Sequence, residues 1–208
     1  MTDMDTYVYL FGENLYVNLT NRCCNDCTFC LRNNGDGVGG NNLWLSREPQ
    51  AHEVIALIAA YGKDSYRDIV FCGYGEPTYA VEKMLEIADY AHSVGKKTRL
   101  NTNGLGNLIN GRDIVPLLAG RIDVVSVSLN ESTEEKYDEI CRPAYKDAFA
   151  EVKRFAAECA AAGISTVLSV VDVIGEKAVE ECRRIVREEI PGATLRVRKM
   201  VHNNDTYD

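Results

Sequence analysis

Histidine is scarce in this chain: the three residues, His52, His92 and His202, are scattered, and the first two fall in helical patterns, so none is assigned a catalytic role. There is no G-x4-G-K-[ST] loop and no G-x-S-x-G elbow, which removes nucleotide hydrolysis and serine-hydrolase chemistry. No apolar run approaches the roughly 18 residues of a membrane span. The start, Met1-Thr2-Asp3-Met4-Asp5, lacks the positive and apolar regions of a signal peptide, so a cytoplasmic protein with no membrane contact is expected. Basic residues are outnumbered, 23 against 31 acidic, for a net charge of −8. This argues against a broad surface for duplex DNA and leaves room only for local basic patches. Linkers, sequence repeats and long low-complexity tracts are also missing. With 208 residues, 46 % of them hydrophobic, the chain is ample for one core and short for two, so one domain over 1–208 is expected.

Cysteine, by contrast, is plentiful. Eight residues in a chain expected to stay in the cytoplasm point to reduced thiols and a metal centre rather than a disulfide framework. Three of them, Cys23, Cys27 and Cys30, read C-x3-C-x2-C with Phe29 just before the last. Three thiolates hold three irons of a four-iron cluster and leave the fourth iron without a protein ligand, open for chemistry. Cys24 offers a second register, C-x2-C-x2-C, the start of a ferredoxin run. Such a run would continue to a further Cys-Pro, where this chain has Asn33 and Asn34. Cys24 is therefore read as a packed residue beside the loop. A structural zinc site would want paired ligands, but Cys72, Cys141, Cys159 and Cys182 stand singly.

Short β-rich runs alternate with helical patterns. The strand candidates are Leu15–Thr20, Asp68–Cys72, Lys97–Asn101, Val124–Leu129, Ser165–Val173 and Thr194–Met200. Between them helices are expected near Pro49–Ala60, Tyr79–Val94, Asp113–Leu118, Tyr145–Ala162 and Glu176–Glu189. In the second of these Val81, Met84, Leu85, Ala88 and Ala91 form one apolar face, and Gly95 is placed to end the helix. Repeated β-α units imply right-handed crossovers and a parallel sheet. The fold expected is α/β, a partial (β/α)6 barrel of TIM-like type. In such folds the loops after the strands build the site, and the distinctive segments of this chain fall there.

After the second candidate strand comes Cys72-Gly73-Tyr74-Gly75-Glu76-Pro77-Thr78, where glycines permit close approach of the backbone and Pro77 fixes the exit. The third ends Asn101-Thr102-Asn103-Gly104, and alternation puts Asn101 and Asn103 on one face. In the fourth, Ser126, Ser128 and Asn130 share one face, a polar stripe in an otherwise apolar strand. Buried hydroxyls need partners, so a polar ligand explains the stripe better than packing does. Arg196 and Arg198 share a face of the last strand, where they hold an anionic substrate or decorate an edge. Arg142 is read either as a carboxylate partner or as a solvated helix-end residue, and Tyr74 as a pocket-lining candidate.

The cysteine loop and the G-x-G-E-P segment together resemble the radical S-adenosylmethionine (radical SAM) enzymes, and the likeness extends from Leu15 to about Met200. In detail, Leu19 to Arg32 and Cys72 to Thr78 look like the TatD-associated radical SAM subgroup, whose name records an association and not a reaction. The resemblance implies a 4Fe-4S cluster held by Cys23, Cys27 and Cys30, with SAM chelated by the open iron. It further implies SAM contacts from Gly75, Glu76, Asn101, Asn103, Ser126, Ser128 and Asn130. Glu76 is left with two roles, orienting the loop or touching the aminoacyl group. Reductive cleavage of SAM to a 5′-deoxyadenosyl radical, oxygen sensitivity, and a reductant such as flavodoxin or ferredoxin follow from the same likeness. The substrate is expected to be a protein, peptide or RNA, with a small molecule as the main competitor. Either residues 32–45 or the substrate itself is expected to close the site. The alternatives kept are a non-catalytic iron-sulfur electron carrier and a SAM-binding protein without activity.

Overall fold

A computed structural model of the protein describes residues 5–33 and 37–199. Asn34, Met200, His202 and Tyr207 lie outside the described residues. Seven strands form one sheet in chain order: β1 (Val8–Phe11), β2 (Asn14–Val17), β3 (Ile69–Phe71), β4 (Thr98–Thr102), β5 (Val124–Ser128), β6 (Ser165–Val171) and β7 (Thr194–Arg198). From β2 to β7 every pairing is parallel. This is the expected six-stranded α/β arrangement. No pairing joins β1 to β7, so the sheet is an open, partial barrel.

The β1 strand was not expected. It pairs antiparallel with β2 across Gly12 and Glu13, and Gly12 adopts φ 57°, as a two-residue hairpin turn requires. The strand ends also shift. β2 stops at Val17, three residues before the expected Thr20, because Asn18 to Thr20 already turn into the cysteine loop.

Among the described residues seven α-helices connect the strands: α1 (Ala51–Tyr61), α2 (Val81–Ser93), α3 (Gly106–Asn110), α4 (Val115–Leu118), α5 (Glu134–Cys141), α6 (Ala148–Ala161) and α7 (Glu176–Glu189). In α2, Val81, Met84, Leu85, Ile87, Ala88 and Ala91 are buried, the apolar face anticipated from spacing. Two helices, α3 and α5, were not anticipated. The second carries a local start signal, Thr133 accepting from the Lys136 amide at 3.4 Å with Glu134 and Glu135 in the first turn. None of the helices among the described residues is long and apolar enough to cross a membrane.

The core lies between the outer face of the sheet and the helices. Leu15, Val17, Phe71, Leu100, Val125, Val127 and Leu168 are all fully buried and alternate with the residues of the inner face. Burial of each such side chain contributes about 1.5–3 kcal/mol. The inner face is left to a different chemistry: Asn101 lies beside Ser126, and Ser128 beside Ser169.

Candidate SAM and cluster site

The cysteine loop follows β2 and is clamped from two sides. On one side, residues 140–144 at the end of α5 run against it. Asp26 donates its amide to the Cys141 carbonyl at 3.1 Å, Thr28 to the Ile140 carbonyl at 2.9 Å, and the Ala144 amide to the Cys24 carbonyl at 2.8 Å. Beneath this ribbon the hydroxyl of the fully buried Tyr137 accepts from the Asn25 side-chain Nδ2 at 3.3 Å. On the other side stands the glycine loop after β3. The Glu76 amide donates to the Arg22 carbonyl at 2.8 Å. A Cβ at Gly75 would lie 2.2 Å from the Thr20 carbonyl oxygen. Only glycine allows the two loops to meet there.

Glu76 is buried, and both its oxygens are engaged. One accepts from the Thr78 amide at 3.1 Å and from the Thr78 and Thr102 hydroxyls at 2.8 Å; the other accepts from the Asn103 amide at 2.7 Å. Burial raises its pKa, and these donors partly oppose the rise. Of the two roles left open for Glu76, this bonding favours orienting the loop, since it joins the glycine loop to the end of β4. Asn103, just beyond that strand, donates its side-chain Nδ2 to the Cys24 sulfur at 3.2 Å. Cys24 itself sits in the apolar core.

Cys23, Cys27 and Cys30 are partly exposed, and Cys27 is near enough to raise the pKa of both the others. Desolvation pushes Cys23 up to about 11. Hydrogen bonding with Cys141, then desolvation, raises Cys27. Protons must therefore leave as a metal enters. Among the described residues no group of three His, Cys, Asp or Glu side chains is gathered on a single point. The donor set nevertheless suits iron in a cluster: three soft sulfurs on one anchored loop, with a fourth position left to another ligand.

The inner face carries the remaining residues anticipated from sequence. Asn101, Ser126 and Ser128 line it, half-buried. Asn130 follows β5 in a left-handed conformation, φ 64°, and donates to the Cys141 sulfur at 3.2 Å; its side-chain oxygen is buried with no donor. That orphaned acceptor is the kind of atom a bound ligand satisfies. Burial raises the pKa of Cys72 just past β3, and Asn101 and then Arg198 on β7 partly oppose the rise. Arg142 ends α5 in a left-handed conformation and is exposed, as a helix-end arginine. Tyr74 is buried against Trp44, ring centroids 5.2 Å apart, and Asn18 donates to the Leu43 carbonyl at 2.8 Å. Residues 43–45 thus pack over the β1–β3 side of the mouth. The residues that sequence reasoning missed, Tyr137 and Cys141, brace the cysteine loop at Asn25 and Asp26 from a segment over a hundred positions away, and no local signal marks them.

The sequence profile described as the Radical SAM superfamily matches residues 17–188. The chain belongs to this superfamily. Radical SAM proteins use a 4Fe-4S cluster and SAM, and the match is to the superfamily as a whole. No curated protein sequence matches the chain. Among solved structures, SuiB of Streptococcus suis bound to its precursor peptide SuiA is similar, with a TM-score of 0.69 at 16 % identity, over 93 % of this chain and 40 % of SuiB. A radical SAM methyltransferase from Sphaerobacter thermophilus gives 0.61 at 18 %, over 91 % and 57 %. The protein anSMEcpe with bound AdoMet gives 0.64 at 16 %, over 93 % and 54 %. At these identities the likeness is one of fold, and the chain spans about two fifths to under three fifths of those proteins.

Proposed function

We propose that this radical SAM core cleaves SAM reductively and turns the resulting carbon radical on a substrate docked over the strand ends. The observation that carries the reading is the anchored loop of three thiols beside a polar strip that holds an unsatisfied buried acceptor, Asn130. When bound, the cluster supplies the electron that breaks SAM into methionine and a 5′-deoxyadenosyl radical. Cys23, Cys27 and Cys30 are its ligands, and Cys24 is held back by Asn103. Glu76 and Gly75 fix the glycine loop against the cysteine loop, leaving its backbone to meet the aminoacyl end of SAM. Asn101, Ser126, Ser128 and Asn130 supply amide and hydroxyl groups for the ribose and carboxylate. Tyr74, Leu43 and Trp44 exclude water from one side, as radical chemistry demands. We place the protein in the cytoplasm, with a flavodoxin or ferredoxin as reductant.

The test is anaerobic loading with iron and sulfide, followed by SAM and dithionite, with 5′-deoxyadenosine measured by mass spectrometry. Product above the iron-free control is expected. Its absence from protein with full iron content refutes the reading.

The Cys27 thiol donates to the Cys141 carbonyl at 3.7 Å, and the nearness of Cys141 to the loop favours a second reading: a closed four-thiolate electron carrier. Cys141→Ser separates the two. Retained cluster iron supports the open-iron site, and loss of the cluster supports the carrier.

A further inference from the structure

The ribbon that clamps the cysteine loop has a register, and that register sets two thiols face to face. Asn25 stands opposite Pro143 in an antiparallel bridge. The amides that cross the ribbon keep the same count: Ala144 donates to the Cys24 carbonyl at 2.8 Å, Asp26 to the Arg142 carbonyl at 3.4 Å and Thr28 to the Ile140 carbonyl at 2.9 Å. Cys27 therefore lies opposite Cys141, at the non-hydrogen-bonded position between the Asp26 and Thr28 bonds. Facing residues at such positions have their Cα atoms about 4.5 Å apart, inside the span of roughly 4.4–6.8 Å that a disulfide bridges. The Cys27 thiol already reaches across, donating to the Cys141 carbonyl at 3.7 Å.

The two thiols differ in access. Cys27 is partly exposed, whereas Cys141 is fully buried at the end of α5, its sulfur held by the Asn130 side-chain Nδ2 at 3.2 Å. A small oxidant from solvent reaches Cys27 first, and Cys141 is fixed where a modified Cys27 meets it. The remaining cysteines outside the ligand set are less well placed: Cys24 lies in the apolar core, and Cys72, Cys159 and Cys182 stand after β3, on α6 and on α7.

We infer that Cys27 and Cys141 form a reversible disulfide when peroxide strips the cluster, which withholds one ligand until the bond is reduced. Peroxide gives one oxygen to the Cys27 sulfur, leaving a sulfenic acid and one water. The Cys141 thiol attacks that sulfur, the S–S bond forms and the oxygen leaves as a second water, so the peroxide has taken both electrons. The bond also spares Cys27 from irreversible oxidation to the sulfinic acid. Cys27 as a ligand comes from the proposed function, but cleavage of SAM is not required.

The test treats cluster-loaded full chain with hydrogen peroxide, blocks free thiols with N-ethylmaleimide and maps the unreduced digest by mass spectrometry. Trypsin, which spares Arg-Pro bonds, releases residues 23–32 and 137–146, and the second holds Cys141 alone. These two peptides are expected joined through Cys27 after peroxide and separate before it. Iron reloading of the treated protein is expected to fail until a phosphine reductant is added. In Cys141→Ser the joined pair is lost, Cys27 gains two or three oxygens and the reductant restores no iron; the wild-type map decides the matter even where this variant folds or loads poorly. A disulfide confined to residues 23–32, a bond to Cys141 from any cysteine but Cys27, or sulfinic acid at Cys27 of the wild type overturns the inference. So does reloading that needs no reductant. The joined pair in a protein that yields no 5′-deoxyadenosine upholds the inference and defeats only the proposed function.

Discussion

Replacing Gly75 by Ala tests whether the glycine loop is set by its contact with the cysteine loop. The added Cβ would sit 2.2 Å from the Thr20 carbonyl oxygen and 2.7 Å from that of Arg22, both backbone atoms, the second held by the Glu76 amide. The loops must part by on the order of 1 Å to restore van der Waals contact. Overpacking of this kind costs about 1–3 kcal/mol. Separation also weakens the bond from the Glu76 amide to the Arg22 carbonyl, worth about 1 kcal/mol. A total of about 2–4 kcal/mol corresponds, for a chain of this size, to a drop in Tm of roughly 5–15 °C. Differential scanning fluorimetry of the iron-free protein measures it directly, and iron content after loading shows whether the cysteine loop has moved as well. A Tm within about 1 °C of wild type, with normal iron, refutes the claim that this close approach defines the site.

Cys23→Ala is expected to abolish cluster assembly and Cys24→Ala to retain it, read from iron content and the absorbance near 400 nm; the reverse result means the register is wrong. Tyr137→Phe removes the hydroxyl that accepts from Asn25, leaving that buried amide without its partner, and is expected to cost about 1–2 kcal/mol in urea unfolding. Glu76 has its pKa raised by burial from 4.5, so the folded chain binds the proton more tightly than the unfolded one. Its stabilising contribution is present below that unfolded value and is lost as pH rises through the folded one. Glu76→Gln should flatten this part of the stability profile upward from about pH 4.5, whatever its fixed cost at the bond to Asn103; profiles that run parallel contradict the raised pKa.

Much of the architecture was written locally. Alternation marked the faces of β4 and β5 because each has one face under helices and one facing the inner space, and the period of two survives that asymmetry. β1 escaped because its four residues read as a short aromatic run, and its meaning depends on the Gly12-Glu13 turn that folds it onto β2. The cysteine loop was singled out by its spacing. Its bracing was not: Asn25 meets Tyr137, and Cys24 meets Ala144, only after β5 and α5 have been laid beside the loop. Glu76 illustrates the same limit. A carboxylate in a glycine loop suggests a ligand contact, and only the placement of Thr102 and Asn103 shows where its two oxygens go.

The central claim is an open iron, held by Cys23, Cys27 and Cys30, that takes SAM as its remaining ligand. Electron paramagnetic resonance of the dithionite-reduced, cluster-loaded protein, recorded with and without SAM, tests it most directly. The account predicts a four-iron signal whose g-values shift when SAM is added, in wild type and in Cys24→Ala alike. A four-iron signal that SAM leaves unchanged would contradict it.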